Sequence, residues 1–544
     1  MCAVLGRSWP MLLLLAACGR PGADDGRTVF RFNQYAALTN LDPAFSSHMQ
    51  NEKVCDQFFD GLVEMGADLR VRPAIAARWT IADSGRLYTF HLRQDVWFHD
   101  SEAFPDGRGR LVTAQDFRYS FERIRDPRVA SPGRWVFEHV VPGPEGFQVI
   151  DDSTFAVRLV RPFAPFIGIL CMVYTSVVPR EAVEHFGTEW RSRPVGAGPF
   201  RFFHWEEGVK LAMRRNERYY QRDEAGEALP YLDAIAISFV KDRNAEFLGL
   251  VKGEFDMMSG VEGSALNEML DPLGRIRPKY ADRIRLIRTP SLETSYLGFL
   301  MDSVAMRNSP WRDVRLRRAV NMAIDRQRII SHIQHGIGVP AHSIIPPALP
   351  GASGRGRGYD ATEARRLLAE AGFPDGQGLP VLTVATTSTG LELCEFIQHD
   401  LAAFGIRLAV DVLPLSTHIS GVANREHPFF RKNWSADYPD AENFLMLFVG
   451  ANSTPAGPNY TCLRNSTMDR LYAEALSVVD DNMRIALYER MDSLVVAEAP
   501  AIFLTHNEVA LFVRHEVRGL EAHPMSRLDL CRVRKEPVAQ GAGR

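Results

Sequence analysis

Trp434 and Asp437 are the residues of this chain best placed to hold a ligand, within Asn433-Trp434-Ser435-Ala436-Asp437-Tyr438-Pro439-Asp440. Trp434 offers a broad apolar face, and Asp437 a negative charge three residues later. Together they suit a molecule with an apolar body and a positive end. Taken alone, the stretch also reads as a surface turn whose aspartates bond their own backbone, with Trp434 tucked into a core. Other polar residues fit no catalytic pattern. His91 and His99 share the outward strand parity without an acidic or cysteine partner at useful spacing, so they read as solvated or hydrogen-bonded. Val195-Gly196-Ala197-Gly198-Pro199-Phe200 lacks the Lys-Ser/Thr of a phosphate loop, and a proline stands where a helix should start. Arg315, Arg317 and Arg318 read as the solvated face of a helix. The chain has no G-x-S-x-G elbow, no H-E-x-x-H helix and no zinc spacing of Cys and His. No catalytic residue, metal or cofactor is expected.

These residues must be positioned by mixed elements. Residues 28–32 read as an opening strand. Residues 54–62 read as a helix with Val54, Phe58 and Leu62 on one face. Tyr88, Phe90, Leu92, Val96 and Phe98 share one parity, as in a half-buried strand or hairpin arm. Helices are expected over 114–123, over 245–252 with Gly253 closing it, and over 314–330 behind an Asp313 cap. Asp360 and Glu363 open a further helix that stops at Gly372. Residues 381–386, a helix carrying Leu393, Ile397 and Leu401, and a strand carrying Leu408, Val410 and Val412 form a right-handed βαβ crossover. The Trp434–Asp437 stretch follows about twenty residues later, near a sheet edge on loop-length grounds. Helices over 469–479 and 483–497 and strands over 502–504 and 509–513 complete the body. The tail from Arg534 reads as disordered. The pattern is that of an α/β protein with more than one lobe.

At 544 residues the chain is too long for one core, and two or three domains are expected. A net charge of −3 argues against a nucleic-acid partner. No internal apolar run is long enough to span a bilayer. The N-terminus differs. Met11-Leu12-Leu13-Leu14-Leu15-Ala16-Ala17 is an apolar segment behind Arg7, ending in small residues before Cys18. Leu15-Ala16-Ala17-Cys18 looks like a bacterial lipobox, with 1–17 a signal peptide and Cys18 the lipidated first residue; a plain secretory signal is the alternative. Residues 18–27 would then tether a water-soluble body to a membrane surface in the periplasm or cell envelope. Cys55, Cys171, Cys394, Cys462 and Cys531 remain, an odd number, so at least one stays free or pairs elsewhere.

Several blocks then fall in a recognisable order. They are Leu41-Asp42-Pro43; Phe59-Asp60-Gly61-Leu62; Pro73-Ala74-Ile75-Ala76-Ala77-Arg78-Trp79; and Tyr88-Thr89-Phe90-His91-Leu92-Arg93 with Val96-Trp97-Phe98-His99-Asp100. Val195-Gly196-Ala197-Gly198-Pro199-Phe200 follows, then Arg215-Asn216 with Tyr219-Tyr220, Asp313-Val314-Arg315-Leu316-Arg317-Arg318-Ala319-Val320, Gly405-Ile406, and Trp434-Ser435-Ala436-Asp437-Tyr438-Pro439-Asp440. The chain resembles the oligopeptide- and dipeptide-binding lipoproteins of bacterial peptide-type ABC importers, extracellular solute-binding protein family 5. The resemblance implies a two-lobed periplasmic-binding-protein fold of the large, three-domain type, with a ligand cleft between the lobes. Lobe one would comprise 28–59, 185–290 and 505–535, with an inserted domain at 60–184. Lobe two would be 291–504, and 536–544 a disordered tail.

The family's mode of action implies a non-enzymatic, monomeric receptor that captures an oligopeptide or dipeptide and delivers it to ABC permease subunits. The peptide would lie extended and be held by main-chain bonds. The segments around Ser47, His48 and Met49 and around Asn433, Trp434 and Ser435 would supply them. Asp437 would pair with the ligand's α-ammonium, since a closed cleft cannot bury a cation without a counter-charge. Nothing in the sequence matches a group for the ligand carboxylate. The same fold binds nickel complexes, sugars, opines and haem elsewhere, and a chaperone-like lipoprotein is a further alternative.

Overall fold

Two long strands, Ile284–Phe299 and Ala501–Arg514, run antiparallel as a ribbon through the molecule. The computed structural model describes residues 27–260, 264–302, 304 and 306–536. The expected signal segment, Cys18 and the expected tether up to residue 26 lie outside the described residues, as does the tail after residue 536. The ribbon carries a wing of strands at each end. On one side stand Met257–Ser259, the parallel pair Val29–Asn33 and Ala234–Ser238, then Lys210–Arg215 and Phe200–Glu206. On the other stand Phe429–Ser435, Leu382–Thr386 and Leu408–Val412. Residues Pro290 and Thr294 bracket a register shift in the ribbon, so Ser291, Leu292 and Glu293 bulge out of the ladder between the wings.

The parallel crossover predicted over 381–412 is present, with Leu382 opposite Leu408 and helix Leu391–Ala402 between the strands. The strands expected over 502–504 and 509–513 are one strand. Polar Thr505, His506, Asn507 and Glu508 interrupt the apolar pattern, but pairing with the facing strand carries the backbone through. The helix expected over 314–330 is two, Val314–Ala323 and Arg326–His332. Ile324 is extended, and the Asp325 carboxylate accepts from the N–H groups of Gln327 and Arg328, starting a new helix. Asp313 caps the first of the two, as expected. Arg317 is not on a solvated face. It is buried and donates to the carbonyls of Trp311, Arg312, Glu498 and Ala499, terminal groups that would otherwise lack partners. Arg534–Lys535 pairs with Val517–Arg518, so the chain is ordered past the point where disorder was expected to begin.

A separate antiparallel sheet, in the order Ala76–Ala82, Leu87–Leu92, Thr154–Arg158, Phe147–Asp151, is covered by helix Ala114–Arg125. The predicted parity holds: Tyr88, Phe90 and Leu92 are buried, and they join Phe117, Phe121, Phe147 and Phe155 in one aromatic core.

Helix Met49–Phe58 starts and stops earlier than the expected 54–62, because Phe59 is extended and its N–H closes on the Cys55 carbonyl. The glycine turn clamps the end of this helix. A Cβ on Gly196 or Gly198 would stand 2.0 or 2.6 Å from Phe58 backbone atoms, so only glycine allows this approach. His99 is hydrogen-bonded, one of the two readings, but buried rather than outward. Its Nε2 donates to the Gly198 carbonyl at 2.9 Å while Nδ1 accepts from the Gly196 N–H at 3.3 Å. Burial pushes its pKa down to about 4, so it acts as a neutral brace.

Candidate functional site

The strand Phe429–Ser435 presents the stretch singled out from sequence. It is an interior strand, not an edge: Ile284–Phe299 pairs along one side over Phe429 to Ser435, while Leu382–Thr386 touches the other side only at Ala385 opposite Phe430. The parallel neighbour diverges there, so the strand's last residues have one open side. The Ala436 N–H donates to the Leu292 carbonyl, which fixes the alternation of the ladder. By that alternation the main-chain groups of Asn433 and Ser435 point away from the paired strand, toward the open side.

A cavity of about 210 Å³ lies beyond this strand end. Its wall includes Ser435, Ala436 and Asp437 from one wing, the bulged Ser291 to Glu293, and Ser47, Met49 and Glu52 from the start of the helix Met49–Phe58. Of the residues expected at the site, Ser47, Met49, Ser435 and Asp437 are on this wall. His48 precedes the helix and accepts main-chain bonds from Asn51 and Glu52. Met49 opens that helix, so its main chain belongs to a helical first turn rather than an extended run. Trp434 is half-buried in a core cluster, and its Nε1–H donates to Asn443 Oδ1 at 3.1 Å. The same oxygen accepts the Asp437 N–H at 3.2 Å. Trp434 therefore braces the loop that carries Asp437. Asn433 Nδ2 donates to Glu293 Oε1 and the Ser435 hydroxyl to Glu293 Oε2, at 2.8 and 3.2 Å.

The wall is acidic. The Asp437 side chain opens onto the cavity, yet protein crowds it enough that burial raises its pKa, with Asn443 opposing through a hydrogen bond. Burial, then the nearby Asp56 charge, push Glu52 up to about 7, and Asp437 adds to that push from across the cavity. Glu293 is raised by burial but is satisfied by Asn433, Ser435 and Asn507. Arg527 is the cation on this wall among the described residues, and it is committed. Its Nη2 and Nε donate to the two Asp56 oxygens at 2.7 and 3.0 Å, and its Nη1 donates to the Cys171 carbonyl. Sequence reasoning missed Glu52, Glu293 and Arg527. A charged pair, Glu52-Lys53, inside a helix otherwise anchored by Val54, Cys55 and Phe58 was the available signal.

Two further cavities adjoin this one. One, of about 590 Å³, shares Met65, Cys171, Met172, Val173 and Arg527 with it. The other, of about 290 Å³, shares Ser291, Glu293, Ser526 and Arg527. Arg527 thus walls all three chambers. The five described cysteines are buried free thiols, and burial pushes Cys171, on the wall of two chambers, up to about 12.

Residues 70–455 match the family model described as bacterial extracellular solute-binding proteins, family 5. The chain belongs to that family. It is 26% identical over 475 residues to the dipeptide-binding protein of Escherichia coli K12, covering 84% of this chain and 85% of the relative. It is 28% identical to the glutathione-binding protein GsiB of Salmonella typhi, covering 86% of each. Among solved structures it resembles the periplasmic binding protein DppA of Helicobacter pylori in complex with the peptide STSA. There the TM-score is 0.74 at 26% identity, covering 94% of this chain and 99% of that one. The α/β periplasmic-binding-protein fold expected from sequence is therefore the fold of this family member. Family 5 proteins are solute binders associated with ABC importers. Among the described residues no helix is long and apolar enough to cross a membrane.

Proposed function

We propose that this chain is an extracytoplasmic receptor that captures a short peptide between two lobes and hands it to a membrane permease. One observation carries the reading. Asp437 and Glu52 face one cavity from opposite wings, and the cation on the described wall, Arg527, is already held by Asp56. Two uncompensated carboxylates in a crowded site call for a cationic ligand group, and an α-ammonium is one. The open side of Asn433 and Ser435 suits addition of an extended main chain, which binds without reading side chains. The likeness to a dipeptide-binding protein and to a peptide-bound structure supports the same reading.

In this reading the wings belong to lobes 28–59, 185–290 and 505–535 and 291–504, with 60–184 inserted in the first. The ribbon bulge at Ser291 to Glu293 is the flexible point about which they close. Cys18 would carry the lipid anchor: Cys18→Ser should release the protein from membranes, and a protein that stays membrane-bound would reject the anchor. Native mass spectrometry of the purified protein tests the ligand class. A mixed set of short peptides released on activation supports the receptor reading. A single non-peptide mass overturns it.

A further inference from the structure

Residues 163–168 fall in the 60–184 segment, yet they pack on residues of the 291–504 segment. Tyr438 and Leu476 of the latter are only 4% and 9% exposed. Neither joins the core formed by their chain neighbours Ala441, Phe444, Leu471 and Ala475. Both sit instead in the core that holds Phe163, Phe166 and Ile169. The Trp135 ring stands 6.4 Å from the Tyr438 ring, centroid to centroid. The Ala164 N–H donates to the Leu476 carbonyl at 3.4 Å. A Cβ on Gly168 would lie 3.7 Å from Pro439 Cδ, an ordinary contact distance. A buried carboxylate fixes the other side of this seam. Glu442 accepts from the Tyr438 hydroxyl and from that of Tyr472, on the helix Ser466–Ser477 that also carries Leu476. Tyr438 is thus held at its hydroxyl by its own segment while its ring is covered by the other. Separating the two sides would return the Tyr438 ring and the Leu476 side chain to water, which burial of apolar surface opposes.

We propose that this seam is a latch: the 60–184 segment grips Tyr438 and Leu476 and keeps the closed form of the receptor populated before a ligand arrives. The inference rests on the proposed two-lobed receptor and gives its inserted domain a role. The latch adjoins the ligand site directly. Tyr438 follows Asp437 in the chain, and Gly168, Cys171, Met172 and Val173 line the cavity with Asp437 and Pro439. Closing the seam therefore completes the cavity wall. Trp135 and Leu476 are not on the described wall, so the latch acts on every ligand alike. A receptor whose closed form is less populated loses apparent affinity in proportion to that population, whatever the ligand.

Hydrogen exchange read by mass spectrometry on the ligand-free protein tests it, with Trp135→Ala and Leu476→Asp loosening the seam from opposite sides. Deuterium uptake over 163–168 and 436–440 should rise at least about threefold in both variants. Uptake over 117–121 and 487–495, inside the cores of the two sides, should not change. Leu476→Met keeps the apolar bulk and should exchange like wild type. Unchanged seam exchange in either folded variant overturns the latch, as does a rise that in both variants extends to the two cores. Calorimetry with tri-alanine and its C-terminal amide reads the coupling to the cavity. Trp135→Ala and Leu476→Asp should each weaken the two ligands by about tenfold, by the same factor for both. No loss, or a loss confined to one ligand, overturns the latch as a control on binding. Failure of both ligands to bind wild type would overturn the peptide reading, while exchange at the seam still decides the latch.

Discussion

Glu52 and Lys53 are consecutive residues of the helix Met49–Phe58, yet they wall different chambers. Successive helical side chains diverge by about 100°, so one helix can face two spaces at once. On the Glu52 side stand Asp437 and Glu293. On the Lys53 side stand Arg243 and Tyr35, with Glu293 again and Glu508. Arg527, held by Asp56, stands between them and adds no free charge to either. On the proposed function, the contrast would let a site that binds a main chain still impose direction. The open backbone at Asn433 and Ser435 would be indifferent to ligand sequence, while the charged side chains around it would set which end goes where.

The comparison is broken most severely by removing its divider. Arg527→Met leaves Asp56 buried without its partner, and stability should fall by about 3–5 kcal/mol in urea unfolding. A loss under about 1 kcal/mol would mean the wall between the chambers is dispensable. Next comes Asp437→Ala, which should weaken a ligand with a free α-amine by about 2–5 kcal/mol in calorimetry, while an N-acetylated ligand loses little. Equal losses for the two ligands would remove Asp437 from the ammonium site. Asn443→Ala should cost about 1–3 kcal/mol of stability, because it strands the Trp434 Nε1–H and the Asp437 N–H together. If affinity falls as well, the loop they brace is what positions Asp437.

The smallest expected effect is on pH dependence. Glu52 is faced by Asp56 and Lys53 from its own helix, by Asp437 from the opposite wing and by Arg527 from the C-terminal segment. Its pKa is raised from 4.5 to about 7, so its ionised form is disfavoured in the folded protein. The penalty is absent below about pH 4.5, grows as pH rises, and is complete above about 7. Glu52→Gln should therefore raise the melting temperature of the ligand-free protein at pH 8 and leave it unchanged near pH 4. An ammonium ligand needs the ionised form, so wild-type affinity should drop about tenfold between pH 8 and pH 6. Glu52→Gln should flatten that profile; an equally steep one would assign the titration to Asp437.

Much of the fold was legible because local rules and tertiary packing agree. The βαβ crossover at Leu382 to Val412, the Asp313 and Asp360 caps and the Gly253 stop are set by periodicity and capping chemistry that need no distant partner. Where the reading failed, a long-range bond had overruled the local pattern. Arg317 looked solvated until carbonyls from residues 498 and 499 came within reach. His99 looked outward until the glycine turn at Gly196 and Gly198 closed over it.

The site divides the same way. Asp437 and the open backbone after Asn433 could be singled out in one dimension, because an aromatic, an acid and a proline turn are contiguous. Glu52, Lys53, Arg243 and Arg527 could not. Their meaning depends on which chamber each side chain enters and which neighbour has already neutralised it. The sequence by itself determined the family, the repertoire of elements and one wall of the cavity. Tertiary structure alone decided that Arg527 is held by Asp56 and that Lys53 has no such partner among the described residues. Charge compensation is a property of distance in space, and segments hundreds of residues apart in the chain supply it.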